Sequence, residues 1–156
     1  MILYHGSDTI IKTIDLNKCK PFKDFGKGFY LSDNNAQAFE LAQIRANISG
    51  GTPIVNQFEF DERLLDCDDV KVRIFDSYCE EWAQFVLNNR EGITTETFDI
   101  VKGPIANDKI GLQIRLLREH YINNAEFLER LKYMKGITFQ YFFGTPKAIS
   151  LLKPIN

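Results

Sequence analysis

Strand-like and helix-like periodicities follow one another along this chain in no regular βαβ order, and that order restricts the fold more than any other feature. Alternation at residues 2–5 and 54–60, and apolar or β-prone runs at 28–31, 70–75, 98–101 and 137–143, predict strands. Helical spacing predicts a helix over about residues 34–48, capped by Ser32 or Asp33 and stopped at Gly50-Gly51, with Phe39, Ala42 and Ala46 on one face. Ser77-Tyr78-Cys79-Glu80 has the capping-box form and opens a second helix with a stripe of Tyr78, Trp82, Phe85 and Val86, ending near Asn89-Arg90. A third starts at Asn107 or Asp108 with Ile110, Ile114, Leu117 and Tyr121. A fourth starts at Asn123 or Asn124 with Phe127, Leu128, Leu131 and Met134. Thr145-Pro146, a cap followed by a first-turn proline, opens a short fifth helix. Gly103-Pro104 closes the strand at 98–101. Without βαβ alternation the chain reads as α+β, with a largely antiparallel sheet. Residues 1–156 form one domain, with no repeat, low-complexity tract or linker.

The core this pattern implies is aromatic: 13 phenylalanines stand among 44% hydrophobic residues. A net charge of −2 and a pI near 5.7 argue against a general polyanion binder and leave room only for a local basic patch. Cys19, Cys67 and Cys79 are odd in number and lack CxxC spacing, which suits free, mostly buried thiols in a reducing cytoplasm. Two histidines with no ligand spacing make a zinc site an unsuitable reading. No apolar stretch is long enough to cross a bilayer.

Asp24-Phe25-Gly26-Lys27-Gly28-Phe29-Tyr30-Leu31-Ser32 is the most distinctive segment. Glycines shape a turn there, and a strand follows at once. Its glycines make neither GxGxxG nor GxxxxGK[ST], so a Rossmann dinucleotide fold and a P-loop both fail on pattern. Taken singly, the candidate residues have structural explanations. His5 can bond nearby backbone at a strand end, and Tyr30 can be a core aromatic. Gln140, inside the aromatic run 137–143, must face solvent or find a partner. Lys27 suits a solvated turn, Asp108 a helix cap, and the acidic cluster at residues 61–69 a solvated loop. Ser7 lacks a His–acid partner set, so a hydrolase triad is unsupported.

Taken together, Leu3-Tyr4-His5-Gly6-Ser7, the segment from Asp24 to Leu31, Gly103-Pro104-Ile105-Ala106-Asn107-Asp108-Lys109, and a late Gln140-x-x-Phe143-x-Thr145 resemble the DUF3990 family over nearly the whole chain. That family looks like a divergent branch of the ADP-ribosyltransferase superfamily, in the subgroup with a His–Tyr–Glu arrangement. The resemblance implies two small packed antiparallel sheets with flanking helices, and NAD+ bound in the cleft between them. It implies that His5 bonds the adenosine ribose and that the Gly6 backbone pairs with the nicotinamide carboxamide. Tyr30 would stack on the nicotinamide ring. Ser7, Lys27 and Gly28 would lie along the bound dinucleotide, with Lys27 able to reach the pyrophosphate. Gln140 stands where the superfamily usually places glutamate.

A glutamine keeps that position's hydrogen bond and loses its charge, and a charge-assisted bond is roughly twice as strong as a neutral one. The implied activity is mono-ADP-ribosyl transfer from NAD+ to a protein or nucleic-acid acceptor, without a metal, by the cytoplasmic toxin of a bacterial toxin–antitoxin pair. A small antitoxin-like protein would be its partner. A module that holds NAD+ or ADP-ribose without chemistry is the alternative that glutamine motivates. A related branch of the same fold transfers phosphate on RNA ends; that would want several arginines and lysines converging on one cleft, and the net charge does not favour it. The acceptor-recognition loop would fall at residues 133–138, where Met134-Lys135-Gly136 offers no carboxylate.

Overall fold

The structure, a computed structural model, describes residues 1–93, 96–106, 108–131 and 136–155. Seven strands form one sheet: β1 (Ile2–Ser7), β2 (Phe29–Ser32), β3 (Ile54–Glu59), β4 (Val72–Ile74), β5 (Ile100–Pro104), β6 (Phe139–Phe143) and β7 (Lys153–Pro154), in the order β4-β5-β6-β2-β1-β3-β7. Every pairing is antiparallel except β4 with β5. Five helices accompany them among the described residues: α1 (Asn35–Ser49), α2 (Glu80–Arg90), α3 (Asp108–Arg118), α4 (Asn124–Leu131) and α5 (Pro146–Ile149). The fold is therefore mixed α/β, with a mainly antiparallel sheet as expected. The seven strands are hydrogen-bonded in one continuous order. The halves of the sheet meet at β1 and β2, which pair at a single position, Tyr4 with Ser32, whereas β1 and β3 pair at six.

Strand alternation sorts the aromatics to two faces. Leu3, Phe29, Leu31, Ile100, Tyr141 and Phe143 point to one, where Phe58, Phe60, Ala148 and Leu152 complete a core. Val101 and Phe142 point to the other and pack with Phe25, with Trp82 and Val86 of α2, with Ile110 and Ile114 of α3, and with Phe127 and Leu131 of α4. Two large rings per pair of strands need room. Gly28 and Gly144 supply it for Phe142, whose ring would lie 2.3 Å and 2.5 Å from a β-carbon at those positions.

Several local expectations change for packing reasons. On α1 the buried face is Ala38, Ala42 and Ala46, whereas Phe39 is 44% exposed. The helix lies so close to β1 that a β-carbon on Gly6 would sit 2.0 Å from the Ala38 carbonyl oxygen, and only alanine fits opposite. Asn34, one residue beyond the expected caps, accepts from the Gln37 N–H, and Gly50 ends the helix at φ 74°. The Ser77 capping box is not used. The α2 cap is Cys79, because the helix start is set by Trp82, fully buried with its indole N–H on the Pro104 carbonyl. Gly103 and Pro104 lie inside β5 rather than closing it. Phe25 and Phe75 rest where a Gly103 side chain would be, and β4 has ended before it would need an N–H from Pro104. The Tyr121 end of the α3 stripe is 74% exposed. Thr145 caps α5 as expected, and Asn123 accepts from the Glu126 N–H at the start of α4. The Asn107 cap and Met134 lie outside the described residues, as does the first half of the expected acceptor loop. No helix among the described residues is long and apolar enough to cross a membrane.

Candidate functional site

The break between β1 and β2 is closed by a side chain. Past Tyr4–Ser32 the two strands no longer pair, and the Tyr30 carbonyl would lack a ladder donor. His5 Nδ1 takes that place at 2.7 Å. A carbonyl only accepts, so Nδ1 carries the proton and Nε2 is left as an acceptor, which Arg45 Nη1 of α1 fills at 2.9 Å. The imidazole also stacks on Phe29 with centroids 4.3 Å apart. Burial pulls its pKa down to about 4, the bond to the Tyr30 carbonyl opposing and the Arg45 charge adding to the shift. His5 is thus a neutral ring of fixed tautomer at neutral pH.

Tyr30 and Gln140 lie on the same face of neighbouring strands, since Ser32 pairs with Gln140 and Tyr30 with Phe142. One loop ties them together. The Tyr30 hydroxyl donates to the Gly26 carbonyl at 2.7 Å and accepts from the Phe25 N–H at 2.9 Å, clamping a turn in which Gly26 has φ 101°. Burial pushes the phenol pKa well above its usual range, so it stays a donor. Its ring meets Phe142 edge-on at 5.2 Å and Phe25 nearly parallel at 6.3 Å. From the same loop Asp24 reaches Gln140: its Oδ2 accepts from Gln140 Nε2 at 3.0 Å, while its Oδ1 accepts from Arg90 Nε and Nη2 at 2.8 Å and 2.7 Å. A carboxylate facing the amide fixes its orientation, with nitrogen toward Asp24 and Oε1 turned away from it.

The structure therefore connects three of the sequence candidates: His5 to the Tyr30 backbone, and Tyr30 to Gln140 through residues 24–26. The others sit differently. Gly6 is small because α1 rests on it, and Gly28 because Phe142 does; neither glycine requires a ligand to account for it. Ser7 is buried, its hydroxyl accepting from the Thr9 N–H within its own turn. Lys27 is exposed. His5 Nε2 can accept from any other donor only by releasing the exposed Arg45 guanidinium. Asp24, Arg45 and Arg90 were not among the sequence candidates. Asp24 was quoted within a motif without a role, and nothing local to Arg90 signals a partner 66 residues away. The described residues hold no group of three or more His, Cys, Asp or Glu side chains suited to a metal.

Chemically, the site offers a neutral imidazole at a sheet break, a half-buried phenol ring, and a carboxamide oxygen oriented by a carboxylate–guanidinium pair. No curated protein matches the chain. A family model described as a protein of unknown function, DUF3990, matches residues 1–153, and the chain belongs to that family.

Proposed function

We propose that the protein is an NAD+-dependent mono-ADP-ribosyltransferase whose site is built from His5, Tyr30 and Gln140. The observation that carries the reading is that Tyr30 and Gln140, separated by 110 positions in sequence, share one face and one clamping loop directly beside the His5 break. The single-position junction of β1 and β2 supports a split-sheet, ADP-ribosyltransferase-like fold, with the cleft where pairing stops. NAD+ would lie there, its adenosine ribose on His5 and its nicotinamide ring against Tyr30.

The reaction breaks the bond between the nicotinamide nitrogen and the ribose C1′, the electron pair leaving with neutral nicotinamide. An acceptor nucleophile then forms the new bond to C1′ and gives up its proton. Gln140 Oε1 accepts from the ribose 2′-hydroxyl. The charge that glutamine lacks stands behind it on Asp24, bonded to the far end of the same amide, so the developing cation meets a polarised carbonyl. The partner we propose is a small antitoxin-like protein that silences a cytoplasmic toxin; the acceptor is a protein or nucleic acid.

The test is nicotinamide release and label transfer from NAD+ in host extracts, by protein freed of any co-purifying partner. Release that is lost in Tyr30→Ala and Gln140→Ala is expected; a folded preparation that releases none in several extracts removes the reading. One observation favours a binding module instead: Arg90 lies on the same carboxylate and offsets its charge. Calorimetric NAD+ binding with no nicotinamide released over hours would select that alternative.

A further inference from the structure

We infer that the cavity between the C-terminal turn of α2 and the length of α3 binds the phosphate of a nucleotide. The cavity has a volume of about 410 Å³, and three arginines line it: Arg90, the last residue of α2, with Arg115 and Arg118 from the last turn of α3. Leu87, Leu112 and Ile114 supply apolar wall. Basic residues at helix C-termini complement the helix dipole, and that accounts for each arginine singly. It does not account for three of them, from two helices, facing one concavity.

Like charges so gathered repel, and among the described residues two carboxylates, Asp24 and Glu119, pair with them. Of the three arginines Asp24 engages Arg90, and Glu119 stands 4.0 Å from Arg118, at the limit of an ion pair, with both side chains nearly half exposed. A phosphate fits what remains. Its oxygens match the guanidinium fork, and its charge relieves the repulsion.

A second feature points the same way. Gly111 lies inside α3 and lines the cavity, and a β-carbon built on it would have nothing within 4 Å. No close approach and no positive φ calls for glycine there. Glycine in a helix interior costs about 1 kcal/mol against alanine. What it preserves is open space on the cavity wall. The volume falls within the range of small-molecule sites, about 300–1,000 Å³. With a whole-chain charge of −2, a cavity with three arginines suits one phosphorylated group better than the backbone of a duplex. Arg90 also shares Asp24 with Gln140, so this arginine of the cavity wall is two hydrogen bonds from the carboxamide proposed to meet the ribose. The phosphate can come from NAD+ itself or from an acceptor nucleotide, and the inference holds without turnover.

The test is calorimetric titration of the full chain with AMP, adenosine and inorganic pyrophosphate. AMP and pyrophosphate should bind, adenosine at least roughly tenfold more weakly, and raised salt should weaken the two anions. The exposed pair Arg115→Gln/Arg118→Gln should lose roughly tenfold or more for AMP. Gly111→Leu should do the same with every charge kept, because its side chain fills the space, and it should leave the melting temperature equal or higher. AMP binding no tighter than adenosine, or unmoved by both variants, overturns the inference. NAD+ titrated into the same variants assigns the source. Parallel losses of NAD+ and AMP place the dinucleotide's own phosphates in the cavity, and retained NAD+ binding with AMP lost places an acceptor's there. No NAD+ binding with AMP binding intact counts against the proposed transferase and not against the cavity.

Discussion

Replacing His5 by Asn should flatten the acid side of the stability curve. In the native protein the imidazole is neutral, donating from Nδ1 to the Tyr30 carbonyl, with a pKa lowered to about 4 chiefly by burial. In the unfolded chain it titrates near its ordinary value of about 6.5. Between those values the unfolded state binds the extra proton, so stability falls as pH drops from about 6.5 to about 4, and below that the group contributes no further change. From pH 7 to pH 4.5 this single group removes roughly 2 kcal/mol, at 1.36 kcal/mol per pKa unit. An asparagine amide reaches the position of Nδ1 and can donate to the same carbonyl, yet it does not titrate. Urea unfolding of both proteins at pH 7 and pH 4.5 isolates the effect, since every other group is common to the two. The wild type should lose about 2 kcal/mol more than His5→Asn over that interval. Parallel losses would mean that His5 titrates normally in the folded state and that its bond to the sheet break does not fix its tautomer.

Gly6→Ala places a β-carbon 2.0 Å from the Ala38 carbonyl oxygen, a backbone atom that cannot swing away, and should cost at least about 1–3 kcal/mol by thermal melting. Tyr30→Phe removes both hydroxyl bonds to the 25–26 turn and leaves the Phe25 N–H without that partner; a loss of about 1–3 kcal/mol is expected in denaturant titration, and an unchanged midpoint would show that the turn stands without the clamp. Asp24→Asn breaks a 2.7 Å ion pair whose partners are 31% and 16% exposed, so stability should fall by about 1–3 kcal/mol. If the transferase reading holds, the same variant lowers kcat for nicotinamide release while NAD+ affinity changes little. Gly111→Ala should raise stability by up to about 1 kcal/mol, read as an increase in Tm.

Much of the frame was legible because it is written locally. Thr145-Pro146, Gly50 and the Trp82–Val86 stripe each act within one or two turns of chain, and the structure uses all three. The misreadings share a cause: a local signal was overruled by something distant in sequence. Phe39 lost the buried face of α1 to Ala38 because β1 passes under that helix at glycine distance. The Ser77 capping box yielded to Cys79 because Trp82 is anchored on Pro104. Gly103-Pro104 reads as a stop and is strand, since the rings of Phe25 and Phe75 occupy the space a side chain would need. The site divides the same way. His5, Tyr30 and Gln140 are marked by the family resemblance, whereas the carboxylate that orients Gln140 comes from 116 residues earlier and the guanidinium that holds it from the end of α2. No periodicity encodes such a meeting.

The order of the strands has a consequence for how this chain meets other proteins. A sheet with so many phenylalanines would be a hazard if its rich strands lay at a margin, where unpaired N–H and C=O groups recruit further strands. Here β6, with three of them, and β2 are interior. The margins fall to β4, three residues long and carrying Arg73, and to β7, two residues long and ending in Pro154. The phenylalanine-rich strand β6 and its neighbour β2 are thereby held away from the margins, which fall to the two shortest strands of the sheet.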